Sequence, residues 1–158
     1  MDENFRNAYE YYMRQMKEER GDDNDNKSYS ESKSFKDNKQ KAKEARILIE
    51  MLALRAIFLK NPNMVSFNIR HEYAHVYHWN GVYIMENDTI LCTTNNNKVY
   101  KAPSTFVSDH KRLMASKGIY RGDKTKIQSN GWVEAKILID NERFRLGIYR
   151  ALKTFNCI

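Results

Sequence analysis

A proline placed directly after a strand-like segment limits what the second half of this chain can form. Residues 98–101 are typical of the end of a β-strand. Pro103 cannot continue the hydrogen bonds of a sheet, but its fixed φ suits the first turn of a helix, predicted here over residues 103–117. Further on, Asn130 and Gly131 give a strong turn signal. The pattern predicts a strand, a helix that begins at Pro103, a polar loop and another strand.

Alternating segments on both sides of this motif predict an antiparallel meander that ends in a hairpin. Each segment is short, rich in β-branched or aromatic residues, and bounded by turn-forming residues. The run from Val65 to Trp79 has the same character, and Asn80 with Gly81 predicts that a hairpin turn follows it. The other predicted strands are residues 82–86, 89–94, 98–101, 132–139 and 143–149.

Two helices and a linker are predicted before the meander. Residues 1–20 have one apolar stripe at helical spacing, formed by Phe5, Tyr9, Tyr12 and Met16. Residues 21–37 contain little that is apolar, which is typical of a mobile linker. Residues 38–61 combine a broad stripe with further apolar positions that widen it nearly all round, so the sequence predicts a helix that is buried against the first helix, the sheet or a partner. The stripe consists of Ala42, Ala45, Leu48, Ile49, Leu52, Ala56 and Leu59.

These elements together predict an α+β fold. N-terminal helices are followed by an antiparallel β-meander with one inserted helix and a C-terminal hairpin. The meander and its helix are expected to form one basic domain over residues 64–158.

Charge separates the two ends of the chain and favours an anionic partner. The formal net charge is +7, and the sequence pI is about 9.3. Residues 1–26 have eight acidic and four basic side chains, so the remaining body is strongly basic. A basic body favours nucleic acid, because phosphate contacts release counterions. The alternative is a basic surface without such a partner.

Cysteine content and hydropathy indicate the compartment. Cys92 and Cys157 are too few for a disulfide framework, which favours a reducing cytoplasm. No apolar run has the length of a membrane span and no signal peptide opens the chain, so no membrane partner is expected.

The segment His71-Glu72-Tyr73-Ala74-His75 matches the zinc-peptidase pattern H-E-x-x-H. On a helix, His71 and His75 would bind zinc, Glu72 would act as the general base, and His78 would lie one turn further on. The flanking residues favour a strand instead, in which Glu72 points away from the histidines. The strand interpretation predicts no metal and no catalytic residues, with a zinc metallopeptidase as the enzymatic alternative.

Basic and aromatic side chains in the second half are the candidate contacts to nucleic acid or to a protein partner. The segment between the predicted helix and residue 130 combines Tyr120 with several bases, a composition suited to base stacking and phosphate contact. A solvated loop is the alternative. The full candidate set is Lys111, Arg112, Lys117, Tyr120, Arg121, Lys124, Lys126, Lys136, Arg143 and Arg145.

Residues 82–150 resemble RAMA-type (restriction/adenine-methylase-associated) domains. The motifs that carry the resemblance are Tyr100, Pro103-Ser104-x-Phe106, His110, Asn130-Gly131-Trp132, and Leu146 with Arg150. The resemblance implies a non-catalytic module that associates with DNA or with DNA-processing machinery. In size and composition the chain also resembles small phage and mobile-element proteins, including anti-restriction and anti-CRISPR inhibitors.

The sequence therefore predicts a binding protein without a cofactor. No nucleophile–base pair, phosphate-binding loop or carboxylate dyad is present. The expected partner is DNA or a protein–nucleic acid complex such as a host nuclease, which the protein would block by direct binding. The expected location is the cytoplasm, that of a bacterial host if a phage encodes the chain. A plain DNA-binding accessory protein is the other alternative.

Overall fold

The computed structural model describes residues 2–20 and 33–158. The chain folds into two compact units. The first unit is Met1–Pro62 with Ile148–Ile158, and the second is Asn63–Gly147. The predicted domain 64–158 therefore runs further than the second unit. Residues 21–32 of the predicted linker lie outside the described residues.

The first unit is built from three helices: α1 (Glu3–Arg20), α2 (Lys33–Lys60) and α5 (Leu146–Thr154), the last of which starts at the end of the second unit. Tyr11 of α1 packs edge-on against Phe155, which follows α5, with ring centroids 5.5 Å apart. Asp2 caps α1 by accepting a hydrogen bond from the Phe5 amide at 2.8 Å. Three of the four residues of the predicted stripe of α1 are core within its unit, since Phe5, Tyr12 and Met16 are at most 5% exposed, and Tyr9 is half-buried.

Helix α2 buries one face within the chain and exposes the other, so the prediction of burial nearly all round is not met by the chain's own packing. Its buried side chains are Ile47, Met51, Leu54 and Phe58. The predicted broad stripe lies largely on the exposed side, where Ile49 is 65% and Leu59 is 58% exposed. The helix also begins at Lys33, earlier than predicted, and so includes the last residues assigned to the linker. None of the described helices is long and apolar enough to cross a membrane.

The second unit is a six-stranded antiparallel sheet in the order β4-β3-β2-β1-β5-β6. Its strands are β1 (Ser66–Tyr73), β2 (Tyr77–Ile84), β3 (Thr89–Cys92), β4 (Lys98–Tyr100), β5 (Lys136–Ile139) and β6 (Glu142–Arg145). Helix α3 (Pro103–Ser116) and the single turn α4 (Gly131–Glu134) are inserted between β4 and β5. The α+β prediction, with an inserted helix and a late hairpin, is confirmed.

One face of the sheet packs against α3, and we call it the inner face. Alternate residues along each strand point to it, as the pleat requires. Phe106 of α3 contacts Trp79 and Tyr100, with ring centroids 6.3 and 5.8 Å apart. The buried inner-face side chains are Phe67, Ile69, His71, Trp79, Tyr83, Ile90, Cys92, Tyr100, Ile137 and Phe144.

The hairpin turn lies at Ala74 and His75, whereas the sequence predicted it at Asn80 and Gly81. Both Ala74 and His75 have positive φ, at 53° and 62°, and the Val76 amide donates to the Tyr73 carbonyl at 3.3 Å. Gly81 lies inside β2 for a packing reason. A Cβ at this position would stand 3.0 Å from the Phe106 ring and 3.2 Å from the Leu91 carbonyl oxygen. The Asn-Gly pair therefore marks the close approach of α3 and not a turn.

Two predicted strands are shorter than expected because helical turns replace part of each. Residues 131–134 form α4, which Asn130 caps by accepting from the Trp132 amide at 3.2 Å, so β5 begins only at Lys136. Residues 146–149, predicted as the end of the last strand, belong to α5. In both places apolar alternation is also compatible with a short helix that has a buried side.

The predicted start of α3 and the Asn130-Gly131 motif meet in space. A Cβ on Gly131 would lie 2.1 Å from the Pro103 carbonyl carbon and 2.3 Å from its oxygen. Only a residue without a side chain fits there. Within the motif itself, the Glu134 carboxylate accepts from the Asn130 amide at 2.8 Å and so helps to fix the start of α4.

Replacing Gly131 by Ala is expected to destabilise the protein by roughly 2 kcal/mol or more, since backbone must move to admit the methyl group. The urea midpoint of the full chain measures the loss. Asn130→Ala is the matched control, which removes one cap at a cost of about 1 kcal/mol. Equal stability of Gly131→Ala and the parent would show that the contact with Pro103 is not tight.

Candidate functional site

Three tyrosines surround an open cleft at one end of the inner face. The cleft has a volume of about 690 Å³, and the β1–β2 hairpin and the segment after α3 form its walls. Tyr73 and Tyr77 are cross-strand neighbours, and the Tyr73 and Tyr120 ring centroids are 5.7 Å apart. Tyr77 is 38% exposed. The remaining lining residues are Ala74, Val76, Gly118, Ile119 and Arg121.

A glycine at the end of α3 directs the chain into this cleft. Gly118 has a φ of 73°, and the Ile119 amide donates to the Met114 carbonyl at 2.8 Å while the Gly118 amide donates to Ala115. These bonds form a Schellman motif, which ends the helix in a sharp turn. The Arg121 amide then donates to the Tyr73 hydroxyl at 2.9 Å and fixes the loop against the hairpin.

The loop that leaves the cleft is basic and locally ordered. Asp123 accepts from the Thr125 amide at 2.9 Å and from its hydroxyl at 2.7 Å, and its carbonyl accepts from the Lys126 amide at 3.1 Å. The two bonds from Thr125 hold the carboxylate and lower the pKa of Asp123. The turn leaves Arg121, Lys124 and Lys126 exposed. Of these predicted contacts Arg121 lines the cleft, and Lys117, which precedes Gly118, is exposed as well.

A second set of predicted contacts lies on the opposite, outer face of the sheet. Lys136 is paired in register with Arg70 on one side and with Arg145 on the other, so three bases form a row across β1, β5 and β6. Arg143 lies on the same face and pairs with Glu72 at 3.0 Å. Burial raises the pKa of Glu72, but Arg143, His78 and Arg70 outweigh that effect and hold it below its usual value.

Two predicted contacts on α3 are engaged within the protein. Lys111 donates to the Glu134 carboxylate at 2.6 Å and to the Gln128 carbonyl at 3.3 Å, and its side chain is only 12% exposed. Arg112 pairs with Asp109 at 3.0 Å. In place of the predicted ligand contact, Lys111 ties α3 to α4 and to the segment before it. Arg112 remains exposed and belongs to a local ion pair.

The H-E-x-x-H residues do not converge, because the segment is a strand followed by a turn. His71 is buried on the inner face and Glu72 points to the outer face, where His78 lies 3.7 Å away. His75 is exposed in the hairpin turn. Across residues 2–20 and 33–158, no three His, Cys, Asp or Glu side chains are grouped to hold a metal ion. The zinc-peptidase geometry is thus contradicted by the fold.

His71 instead pairs with His110 of α3 inside the unit. Their Nδ1 atoms are 2.8 Å apart, so one nitrogen donates its proton and the other accepts. Trp79 stacks on His110 with ring centroids 5.0 Å apart. Burial lowers the pKa of each imidazole from 6.5 to about 4, and the charge of Lys111 acts in the same direction on His71. Both rings are neutral at pH 7.

Sequence reasoning found the basic loop and Tyr120 but missed Tyr73 and Tyr77. Their meeting depends on the turn at Ala74 and His75, a dipeptide that carries no turn signal. With the turn predicted six residues later, Tyr73 and Tyr77 were expected four positions apart on one strand and not opposite each other on two strands.

The comparisons with known proteins leave the site to be judged on its geometry alone. No family model, no curated protein and no solved structure matches this chain.

Acidification is expected to destabilise the protein as pH falls from 6.5 towards 4. The unfolded imidazoles take up protons below their pKa of about 6.5, whereas the folded pair stays neutral until about pH 4. We expect a loss of roughly 2 kcal/mol for each of the two imidazoles, so roughly 4 kcal/mol in all between pH 7 and pH 5, measured by urea unfolding at both values.

An NMR titration separates this pair from other groups that respond to acid. Two of the four imidazoles should keep neutral chemical shifts to well below pH 6 in the folded protein. His75→Ala should retain both of these signals, whereas His110→Asn should lose one. Ordinary titration of all four rings would contradict the buried pair.

Proposed function

We propose that this protein acts by binding and that its second unit binds nucleic acid at the tyrosine cleft. The observation that carries the proposal is the meeting of Tyr73, Tyr77 and Tyr120 around one open cleft, whose lining also includes Arg121, the first base of the basic loop. Aromatic faces beside a positive track are the combination that unpaired nucleic acid requires. The preferred ligand is therefore a single strand or an unpaired segment of DNA.

The cleft has the size and lining to accept a base. Its volume of about 690 Å³ lies within the range of sites that take small organic groups. Every base has a π-face, so stacking on tyrosine supports binding without requiring a particular sequence. The Tyr73 hydroxyl already accepts the Arg121 amide, which holds that ring in place before a ligand arrives.

The basic loop supplies the phosphate contacts. Residues 117–126 have four bases against one acid, and that acid is held by its bonds to Thr125. Such contacts position a backbone without reading its bases. A nucleic-acid strand that leaves the cleft past Arg121 would continue along Lys124 and Lys126, which are exposed in the same loop.

In a second form of this proposal, the protein binds a DNA-cutting nuclease. There the bases of the outer face would bind the acidic groups of a nuclease and block it. The outer face has charges of both signs, because Glu72 lies among Arg70, Arg143 and His78. Such a face is complementary to a protein surface with charges of both signs more than to a uniform phosphate backbone.

Changing Arg121, Lys124 and Lys126 to Glu together is expected to weaken binding to single-stranded DNA across all sequences. The slope of log affinity against log salt should become shallower by about 2, since each lost phosphate contact removes roughly 0.7. Fluorescence anisotropy with a labelled mixed-sequence oligonucleotide measures both quantities.

The matched control places the same charge change on α1. Arg6, Arg14 and Lys17 are exposed there, and their reversal to Glu should alter the salt slope much less. If parent protein fails to bind single strands or duplex at low salt, direct nucleic-acid binding is wrong, and the nuclease-bound form of the proposal becomes the one to test.

Tyr77→Ala is expected to weaken single-strand binding by about 1–3 kcal/mol, the usual effect of losing one stacked base. Tyr77 is the suitable position because it is partly exposed. Tyr77→Phe keeps the ring and should bind like the parent. Equal losses in the two variants would place the role of Tyr77 in its hydroxyl and remove the argument for stacking.

A further inference from the structure

The exposed face of α2 repeats every seven residues. We number the helix as heptads in which Ile49 and Ala56 are a positions and Leu52 and Leu59 are d positions. Counting back, the same two positions recur without a break to Phe35. All eight of these residues are exposed: Phe35, Asn38, Ala42, Ala45, Ile49, Leu52, Ala56 and Leu59. We call this set the α2 seam.

The seam is not needed by the first unit for its own core. The buried residues Ile47, Met51, Leu54 and Phe58 lie on another side of the helix and pack within the unit, as the 5.6 Å contact between the Phe58 and Tyr149 rings shows. The seam nevertheless keeps large apolar groups in water, with Ile49 65%, Leu59 58% and Phe35 50% exposed. A narrow a/d stripe is the surface that packs against another helix in a coiled coil.

The charged side chains that border the seam are all basic. Lys39, Arg46 and Lys60 occupy e positions and Lys41 a g position, and all four are exposed. The remaining border positions in residues 35–60 are Leu48, Ala53 and Arg55, the last of which pairs with Asp2 at 2.8 Å. The acids of α2, Asp37, Glu44 and Glu50, fall at b and c positions, further from the seam.

This charge pattern decides between the possible occupants. In a pair of α2 helices, parallel or antiparallel, the basic e and g residues of one copy would lie beside the basic e and g residues of the other. Their repulsion opposes pairing of two copies. A membrane surface favours a wide apolar face, whereas half of the seam is Ala or Asn. A nucleic acid would satisfy the bases but leave Ile49 and Leu59 in water.

We propose that the α2 seam is a docking surface for an amphipathic helix of another protein, one with apolar a and d residues bordered by Asp or Glu. The seam spans residues 35–59, about 37 Å of helix at 1.5 Å per residue. Ala42, Ala45 and Ala56 allow the partner backbone to come close, and large partner side chains fill the space above them. Acidic e and g residues pair with Lys39, Lys41, Arg46 and Lys60.

Two synthetic peptides of four heptads test the proposal. Both have Leu at a and d; one has Glu at every e and g position and the other has Lys. The full chain is expected to bind the acidic peptide at least about tenfold more tightly than the basic one, because border charges set the choice of coiled-coil partner. Fluorescence anisotropy of labelled peptides gives both affinities.

Variants of exposed residues separate the seam from other surfaces. Ile49→Gln with Leu59→Gln should abolish binding of the acidic peptide while the circular dichroism and urea midpoint stay close to those of the parent. Reversing Lys39, Arg46 and Lys60 to Glu should switch the preference to the basic peptide. Reversing Arg6, Arg14 and Lys17 on α1 should leave the preference unchanged.

Four results would overturn the proposal. The first is equal affinity for the two peptides, and the second is binding that survives Ile49→Gln with Leu59→Gln. The third is a dimer of the parent chain in sedimentation that this double variant dissociates, which would make a second copy the occupant. The fourth is seam-dependent binding to anionic vesicles or to duplex DNA in place of the acidic peptide.

Discussion

The close approach of α3 to its neighbours is the constraint on which the second unit depends. On one side the Phe106 ring lies against Gly81 of β2, and at the start of the helix Pro103 lies against Gly131. A methyl group at either glycine would meet another group at 3.0 Å or less. Since α3 cannot move outward without losing both contacts, its end is also fixed. The Schellman turn at Gly118 therefore delivers Tyr120 and Arg121 to the hairpin at one defined place.

Polar contacts hold the same helix at its middle. His110 pairs with His71 beneath Trp79, and Lys111 joins Glu134 on the other side of the helix. Burial of both imidazoles in their neutral form makes this part of the interface sensitive to acid. The cleft itself is formed by the residues just beyond these contacts, so the packing that stabilises the unit also sets the geometry of the site.

The sequence was sufficient for the class of fold and for the inserted helix, because Pro103 and the alternation of the strands act locally. It was insufficient where one pattern suits two structures. Asn80 and Gly81 resemble a turn, yet the glycine is needed for contact with Phe106. The helix containing Ile49 has apolar residues on most sides, and periodicity alone does not tell which side is buried. Both questions are decided by residues far away in the chain.

Some residues of the candidate site could likewise be predicted from the sequence and others could not. Arg121, Lys124 and Lys126 were evident as a basic run, and Lys136 with Arg145 was evident as a possible sheet face, which the register confirms. The tie made by Lys111 was not evident because its partner Glu134 is 23 residues away. Whether the site binds DNA or a nuclease stays a prediction, as does the resemblance to RAMA-type domains.

The pleat of β1 limits how one nucleic-acid strand could contact both the basic loop beside the cleft and the row of bases on the outer face. Tyr73 belongs to the cleft side of the sheet, while its neighbour Glu72 and the row of Arg70, Lys136 and Arg145 belong to the other side. One flat ligand cannot touch both. A nucleic-acid strand that stacks in the cleft reaches the outer row only by passing around an end or an edge of the sheet. The occluded length would then come in two steps: a short footprint confined to the cleft and a longer one that wraps from one face of the sheet to the other.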